Sequence, residues 1–228
     1  MTLSPLGDQA FIATMPDEAA AVRLASSVLA ANPDWLDDVV PAYATVGVFF
    51  NADRIAPAAV KRWLHALPKS GATSNIVMGK LVTIPVCYEM GPDLNRVAEQ
   101  TKQTPADVIK LHTSSDYTVY AIGFVPGFPY LGYLPRELSG VPRLPSPRVR
   151  VEPGSVGLTG RQTGIYPLAR PGGWNLIGRT PTTIVDFETS YFPLRVGDKV
   201  RFRRIDASEY EQSHGSKISE DIVVKTPR

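Results

Sequence analysis

The chain has 228 residues, 43% of them apolar and 20% charged, and a net charge of +2. This length suffices for one large domain or two small ones with separate cores, and so small a net charge argues against nucleic acid as the main partner. A single cysteine, Cys87, excludes an internal disulfide and fits a reducing compartment.

In chain order, Gly7 to Thr14 (GDQAFIAT) reads as a first strand. The opening MTLSPLGDQAF has neither a basic region nor an apolar core, so no signal peptide is expected. Pro16-Asp17-Glu18 opens a helix, with carboxylates at the positive end of its dipole. Its buried stripe is expected at Val22, Ala25, Val28 and Leu29, and Asn32-Pro33 stops it. Val39 to Phe50 is extended, as two strands or one bent one, because Pro41 and Gly47 interrupt it. This run is too short to cross a bilayer, so no membrane span is expected and the expected location is the cytoplasm. A second helix starts at Pro57, with Val60, Trp63, Leu64 and Leu67 on one face; His65 lies off that stripe and reads as a surface histidine. The order β-α-β-β-α predicts a small α+β sandwich over residues 1–80, with Lys69 to Asn75 (KSGATSN) as a linker.

The second unit, residues 81–208, begins with the strand LVTIPVCY, where Cys87 reads as a buried strand residue rather than a nucleophile. Pro92 to Gln100 has Leu94, Val97 and Ala98 at helical spacing. Thr104-Pro105-Ala106-Asp107 is a capping-box variant that starts another helix, reaching His112. Strands are then expected at Tyr117 to Ile122, Val149 to Val151, Val156 to Thr159, Gly164 to Tyr166, Trp174 to Arg179, Thr183 to Phe187 and Lys199 to Arg204. Many short strands separated by turn signals predict a closed barrel or a sandwich. Residues 209–228 lack periodicity and are expected to form a flexible tail.

The window Ala121 to Pro181 holds 11 of the 18 glycines and 10 of the 21 prolines, with seven arginines against two glutamates. Dense glycine and proline specify a path of turns and short strands, and the guanidinium fork suits carboxylate or phosphate. Two readings follow: an ordered surface that holds an anion, and a barrel with solvated arginines outside. Other signatures are missing. There is no G-x-x-x-x-G-K-[ST] loop, the three histidines and one cysteine make no metal pattern, and Ser155 in PGSVG lacks the strand-to-helix elbow of a hydrolase nucleophile. GSVGLTG reads as a turn between strands rather than a phosphate nest. His112, at a helix C-terminus four residues before Asp116, fits both a general acid or base oriented by a carboxylate and a cap on the last helix carbonyls. Gln162, Thr163 and Tyr166 are strand-edge polar groups in a plain barrel; with Arg148 and Arg179 they are also a set suited to an oxygen-rich substrate. Trp174 reads as a core or rim anchor.

The ordered motifs GFVPGFPYLGYL, PRLPSPRVRV, GSVGLTGRQTGIYP and PGGWNLIGRTP resemble the allophanate hydrolase subunit 1 family, which also contains the B subunit of bacterial 5-oxoprolinase and a sporulation-kinase inhibitor. PLGDQAF, VVPAYATVGVFF, IPVCYEMGPDLNRVAE, VIKLHTSSDYTVYAIGF and VGDKVRF extend the match from Pro5 to about Ile205. The family's pattern is departed from in VEPGSVG, where Glu152 precedes Pro153, and in YLGYL at Tyr130 to Leu134. The resemblance implies a cyclophilin-like β-barrel after the α+β sandwich. It also implies one part of an ATP-dependent 5-oxoprolinase that opens 5-oxo-L-proline to L-glutamate, inactive alone and completed by two partners, a homologous C subunit together with an A subunit. ATP is then shared with the partner subunits, and no metal site is expected in this chain. Carboxyl transfer in urea or allophanate metabolism and non-catalytic inhibition of a sensor histidine kinase are the other roles the family offers. On this reading His112 and Arg179 are expected to be catalytic. Arg148, Gln162, Thr163 and Tyr166 are expected to bind substrate, with His112, Arg148, Gln162, Tyr166 and Arg179 facing one concave surface of the barrel. The apolar loops from Phe124 to Leu138 are expected to touch the homologous partner.

Overall fold

The computed structural model describes residues 1–67 and 79–218. The chain divides into two compact units, Met1–Met78 and Gly79–Arg228. The expected linker KSGATSN lies outside the described residues.

The first unit is β1 (Thr2–Pro5), β2 (Ala10–Thr14), α1 (Glu18–Ala31), β3 (Leu36–Ala42), β4 (Thr45–Phe50) and α2 (Pro57–Ala66). The four strands form an antiparallel sheet in the order β1-β2-β4-β3. Asp17 caps α1 by accepting the Ala20 N–H at 2.7 Å, the use of an N-cap carboxylate that the sequence suggests. Alternation along β4 buries Val46, Val48 and Phe50 against Ala21, Ala25 and Val28 of α1 and Val60 and Leu64 of α2. Two details differ from expectation. Leu29 is 55% exposed, because Ala21 and Ala25 let α1 approach the sheet on a face turned away from it. The expected first strand is shorter, starting at Ala10 after a turn in which Gly7 adopts φ 65°, and a strand the sequence reading missed, Thr2–Pro5, precedes it.

The second unit contains β5 (Leu81–Cys87), α3 (Leu94–Thr101), α4 (Pro105–Thr113), β6 (Asp116–Ile122), β7 (Pro129–Gly132), β8 (Arg148–Val151), β9 (Ser155–Thr159), β10 (Gln162–Ile165), β11 (Arg170–Gly172), β12 (Asn175–Arg179), β13 (Lys199–Ile205) and α5 (Ala207–Gln212). Seven strands close a barrel in the order β10-β7-β6-β13-β5-β12-β9. Closure leaves no exposed edge among them. All pairs are antiparallel except β13 with β5, which runs parallel from Lys199 opposite Leu81 to Ile205 opposite Cys87. β8 and β11 form a separate two-stranded ribbon. The mixed fold with a closed barrel is the α+β architecture expected.

Alternation along β5 turns Val82, Ile84 and Val86 into the barrel core, which α3 and α4 join through Val97, Ala98 and Val108. The capping box forms as read: Thr104 accepts from the Asp107 N–H at 3.1 Å, and the Asp107 carboxylate accepts the Thr104 N–H at 3.3 Å. Thr183 to Phe187 is not a strand. The Asp186 carboxylate instead accepts Glu188 N–H, Thr189 N–H and the Thr189 hydroxyl, a local turn that competes with sheet pairing. Residues 209–218, expected as tail, are structured. Tyr210 on α5 is buried in a small cluster with Cys87 and Ile205, and Thr183 bridges Lys217. Among the described residues no helix is long and apolar enough to cross a membrane.

Candidate functional site

The glycine- and proline-rich window Ala121 to Pro181 folds around a cavity of about 220 Å³ in the second unit, walled by Phe124, Phe128, Tyr130, Tyr166 and Trp174. Each ring arrives from a different segment: Tyr130 from β7, Phe128 from the turn before it, Tyr166 from the end of β10, and Trp174 from the link between β11 and β12. Phe128 is the hub, meeting Tyr130, Tyr166 and Trp174 edge-to-face at 5.0, 5.2 and 5.4 Å between centroids. Such geometry suits the aromatic quadrupole and makes a stiff wall. Glycine is required at two places. A Cβ on Gly164 would lie 3.0 Å from both Phe128 and Trp174, and one on Gly172 would lie 2.5 Å from the Tyr166 hydroxyl oxygen. Neither position has a positive φ, so it is the close approach of the rings that excludes a side chain.

The remaining wall is Pro147, Pro171, Gly172, Gly173 and the exposed Arg143. Burial pushes the Tyr166 phenol up, opposed by a Trp174 backbone hydrogen bond and by Arg143 and Arg148. Burial likewise pushes the Tyr130 phenol up against the pull of Arg143. Both hydroxyls therefore stay protonated at neutral pH and can donate.

Arg148 stands in the ribbon beside this cavity, opposite Gly172. Its Nη2 donates to Asp93 Oδ1 at 2.7 Å, and Asp93 Oδ2 accepts the Leu176 N–H at 2.7 Å. Asp93 is only 7% exposed, so one carboxylate ties the ribbon to β12. Arg148 Nη1 is buried and has no partner among the described residues, which leaves one charged donor unused.

The five residues expected on one surface, His112, Arg148, Gln162, Tyr166 and Arg179, are not brought together. Tyr166 lines the cavity, and Arg148 lies beside it, paired with the lining residue Gly172. His112 and Thr163 are fully buried; the ring contacts the Tyr88 hydroxyl through Nδ1 at 2.7 Å and the Thr163 hydroxyl through Nε2 at 2.9 Å, and it stacks on Phe202. Neither reading of His112 from sequence describes this setting. Its ring caps no helix carbonyl, and Asp116 gives both carboxylate oxygens to Arg201 at 2.6 and 2.9 Å. Burial overrides the helix dipole and pushes the imidazole down to about 3. Gln162 is half-buried in the barrel opposite Gly132 and Thr159. Arg179 donates from Nε to the Pro153 carbonyl at 3.0 Å, outside the cavity lining.

Sequence reasoning missed Arg143 and Asp93. Arg143 was legible only as one arginine of PRLPSPR, and Asp93 reads locally as a helix start. Trp174, read as a core or rim anchor, is 5% exposed and forms part of the cavity wall.

The profile of the family described as carboxyltransferase domain, subdomain C and D, matches residues 1–193. The 5-oxoprolinase B subunit of Bacillus subtilis (strain 168) is 39% identical over 188 residues, covering 76% of this chain and 77% of that one. The crystal structure of TTHA0988 has a TM-score of 0.75 at 39% identity over 87% of this chain, but the match spans only 40% of that protein. The K. lactis urea amidolyase shares the fold at 19% identity, with a TM-score of 0.72 over 96% of this chain and 16% of its own. The family match runs through the whole sheet-and-helix unit and, in the barrel unit, through every barrel strand except β13. With the ordered motifs from GFVPGFPYLGYL to PGGWNLIGRTP lying inside it, this chain belongs to the family of carboxyltransferase domains, subdomain C and D.

Proposed function

We propose that the chain is a hydrolase component, the B subunit of an ATP-dependent 5-oxoprolinase that works with a homologous C subunit plus an A subunit. The observation that carries this reading is the 39% identity to a 5-oxoprolinase B subunit over three quarters of both chains. A lactam carbonyl is a poor electrophile until its oxygen is phosphorylated; water then adds at that carbon, the C–N bond breaks, and phosphate leaves in a second hydrolytic step to give glutamate. The proton and charge transfers of that sequence need a site that holds a small oxygen-rich ring away from bulk water. The aromatic cavity with Tyr166 and Arg148 beside it is the part of this chain suited to that task.

The cavity does not fit a nucleotide. It is smaller than the ~300–1,000 Å³ typical of sites for drug-sized ligands, and no glycine-rich loop opens a helix beside it. ATP is therefore assigned to the assembled complex. The carboxyl-transfer alternative has the family's description and the fold shared with a urea amidolyase behind it, while kinase inhibition has no observation of its own among the described residues.

Co-expression with the C and A subunits, followed by an assay for ATP-dependent glutamate formation, tests the reading. Turnover is expected from the three-part assembly and not from this chain alone. An assembled complex that leaves 5-oxo-L-proline unchanged removes the proposal.

A further inference from the structure

We infer that the aromatic cavity is a receptor for a small ring carrying one carboxylate, with Arg143 as the group that binds the carboxylate. The class of ligand follows from the geometry; naming 5-oxo-L-proline as the ring rests on the function proposed above.

Arg143 is exposed, lines the cavity, and makes no hydrogen bond or ion pair with any described residue. It differs in this from the arginines around it. Arg148 is held by Asp93 and Arg150 by Glu152, while Arg179 is bonded to the Pro153 carbonyl. One uncommitted guanidinium at an otherwise uncharged aromatic cavity complements one negative charge, through two parallel hydrogen bonds to a carboxylate. It also repels the cations that aromatic cages otherwise attract. A polyphosphate carries several charges and would need more free cations than this wall offers.

The shape makes the same selection. Phe128 meets Tyr166 and Trp174 edge-to-face, a stiff apolar wall that suits the body of a small ring. Gly172 lies against the Tyr166 hydroxyl, where even a methyl group would collide at 2.5 Å. That hydroxyl is protonated at neutral pH, so it can donate to a ring carbonyl. The site so described is a polar head at Arg143, an apolar body among the rings, and a neutral donor at the glycine wall.

The test is titration calorimetry on the full-length chain with 5-oxo-L-proline, with pyrrolidin-2-one, which is the same ring without the carboxylate, and with Mg-ATP. Saturable binding of 5-oxo-L-proline is expected. Omitting the carboxylate and substituting Arg143→Gln should each weaken it about 10- to 100-fold, the range for a charged hydrogen bond. Arg143→Lys should recover part of the loss, and Gly172→Ala should abolish binding. Because Arg143 holds nothing else in place, Arg143→Gln should melt at the wild-type temperature. In the assembled complex the same variant should raise KM by a similar factor with kcat little changed. If the isolated chain binds none of the three, that KM decides the matter by itself. Wild-type affinity or KM in a folded Arg143→Gln overturns the inference, as does competition by Mg-ATP for an Arg143-dependent site. Turnover of 5-oxo-L-proline with an Arg143-independent KM leaves the proposed function standing and removes this site. Arg143-dependent binding of pyrrole-2-carboxylate alongside a complex inert toward 5-oxo-L-proline does the reverse.

Discussion

The His112 ring donates from Nε2 to the Thr163 hydroxyl at 2.9 Å. That direction is required, because the single hydroxyl proton of Thr163 goes to the Gly157 carbonyl at 3.0 Å, so its oxygen can only accept from the ring. Nδ1 of a neutral imidazole is then an acceptor, matched by the Tyr88 hydroxyl at 2.7 Å. A buried, neutral histidine with both nitrogens satisfied joins α4 to β10 and to the segment after β5.

The first prediction concerns pH. Burial sets the folded His112 at about 3, below the ordinary 6.5, so the unfolded chain takes up the proton first. Stability falls as pH drops from 6.5 towards 3, by about 1.4 kcal/mol per unit. Denaturant unfolding at pH 7 and pH 5 should reveal this slope in the wild type and its absence in His112→Gln. Parallel curves for the two proteins refute the assignment. At pH 7 the variant should already be weaker, by about 1–3 kcal/mol, because Tyr88 and Thr163 lose well-placed partners.

The second prediction separates a buried ion pair from exposed ones. Asp93→Asn removes the charge facing Arg148 and weakens the bond to the Leu176 N–H. A loss of about 1.5–3 kcal/mol is expected, as for charged hydrogen bonds out of water. Glu152→Gln breaks only the solvent-exposed contact with Arg150 and should leave the unfolding midpoint unchanged. Equal midpoints for both variants contradict the role given to Asp93.

A third prediction tests the cavity wall. Gly164→Ala places a Cβ 2.8 Å from the Pro129 carbonyl and 3.0 Å from Phe128 and Trp174. That carbonyl belongs to β7, which pairs with β10, so it cannot retreat without disturbing the barrel. Overpacking should cost about 1–3 kcal/mol and move the Trp174 ring, which alters tryptophan emission. An unperturbed spectrum and midpoint show that the wall has slack.

The last prediction uses the single cysteine. Cys87 is fully buried, and burial followed by the nearby Glu89 pushes its thiol up. Only the thiolate reacts quickly, so a thiol reagent at neutral pH should label the chain in urea and leave the native protein unmodified. Rapid native labelling would mean that α5, whose Tyr210 covers this corner, opens readily.

What the sequence determined by itself is what neighbouring residues settle among themselves. The Thr104 to Asp107 capping box, the Asp17 cap and the alternation along LVTIPVC involve partners a few positions apart, so pattern and propensity suffice. Pattern alone left a closed barrel or a sandwich, and it was the family resemblance carried by the ordered turn motifs that implied the barrel. Tertiary structure alone decided the rest. The parallel pairing of β5 with β13 joins strands more than a hundred residues apart, and Arg148 finds Asp93 across 55 positions. His112 shows the limit most directly: its helix dipole, visible in sequence, favours the charged ring, but desolvation is the stronger effect and keeps it neutral. Desolvation depends on what the folded chain wraps around a side chain. For the same reason Arg143, one of seven arginines in the window, is distinguished from the others only once the fold has given those around it their partners.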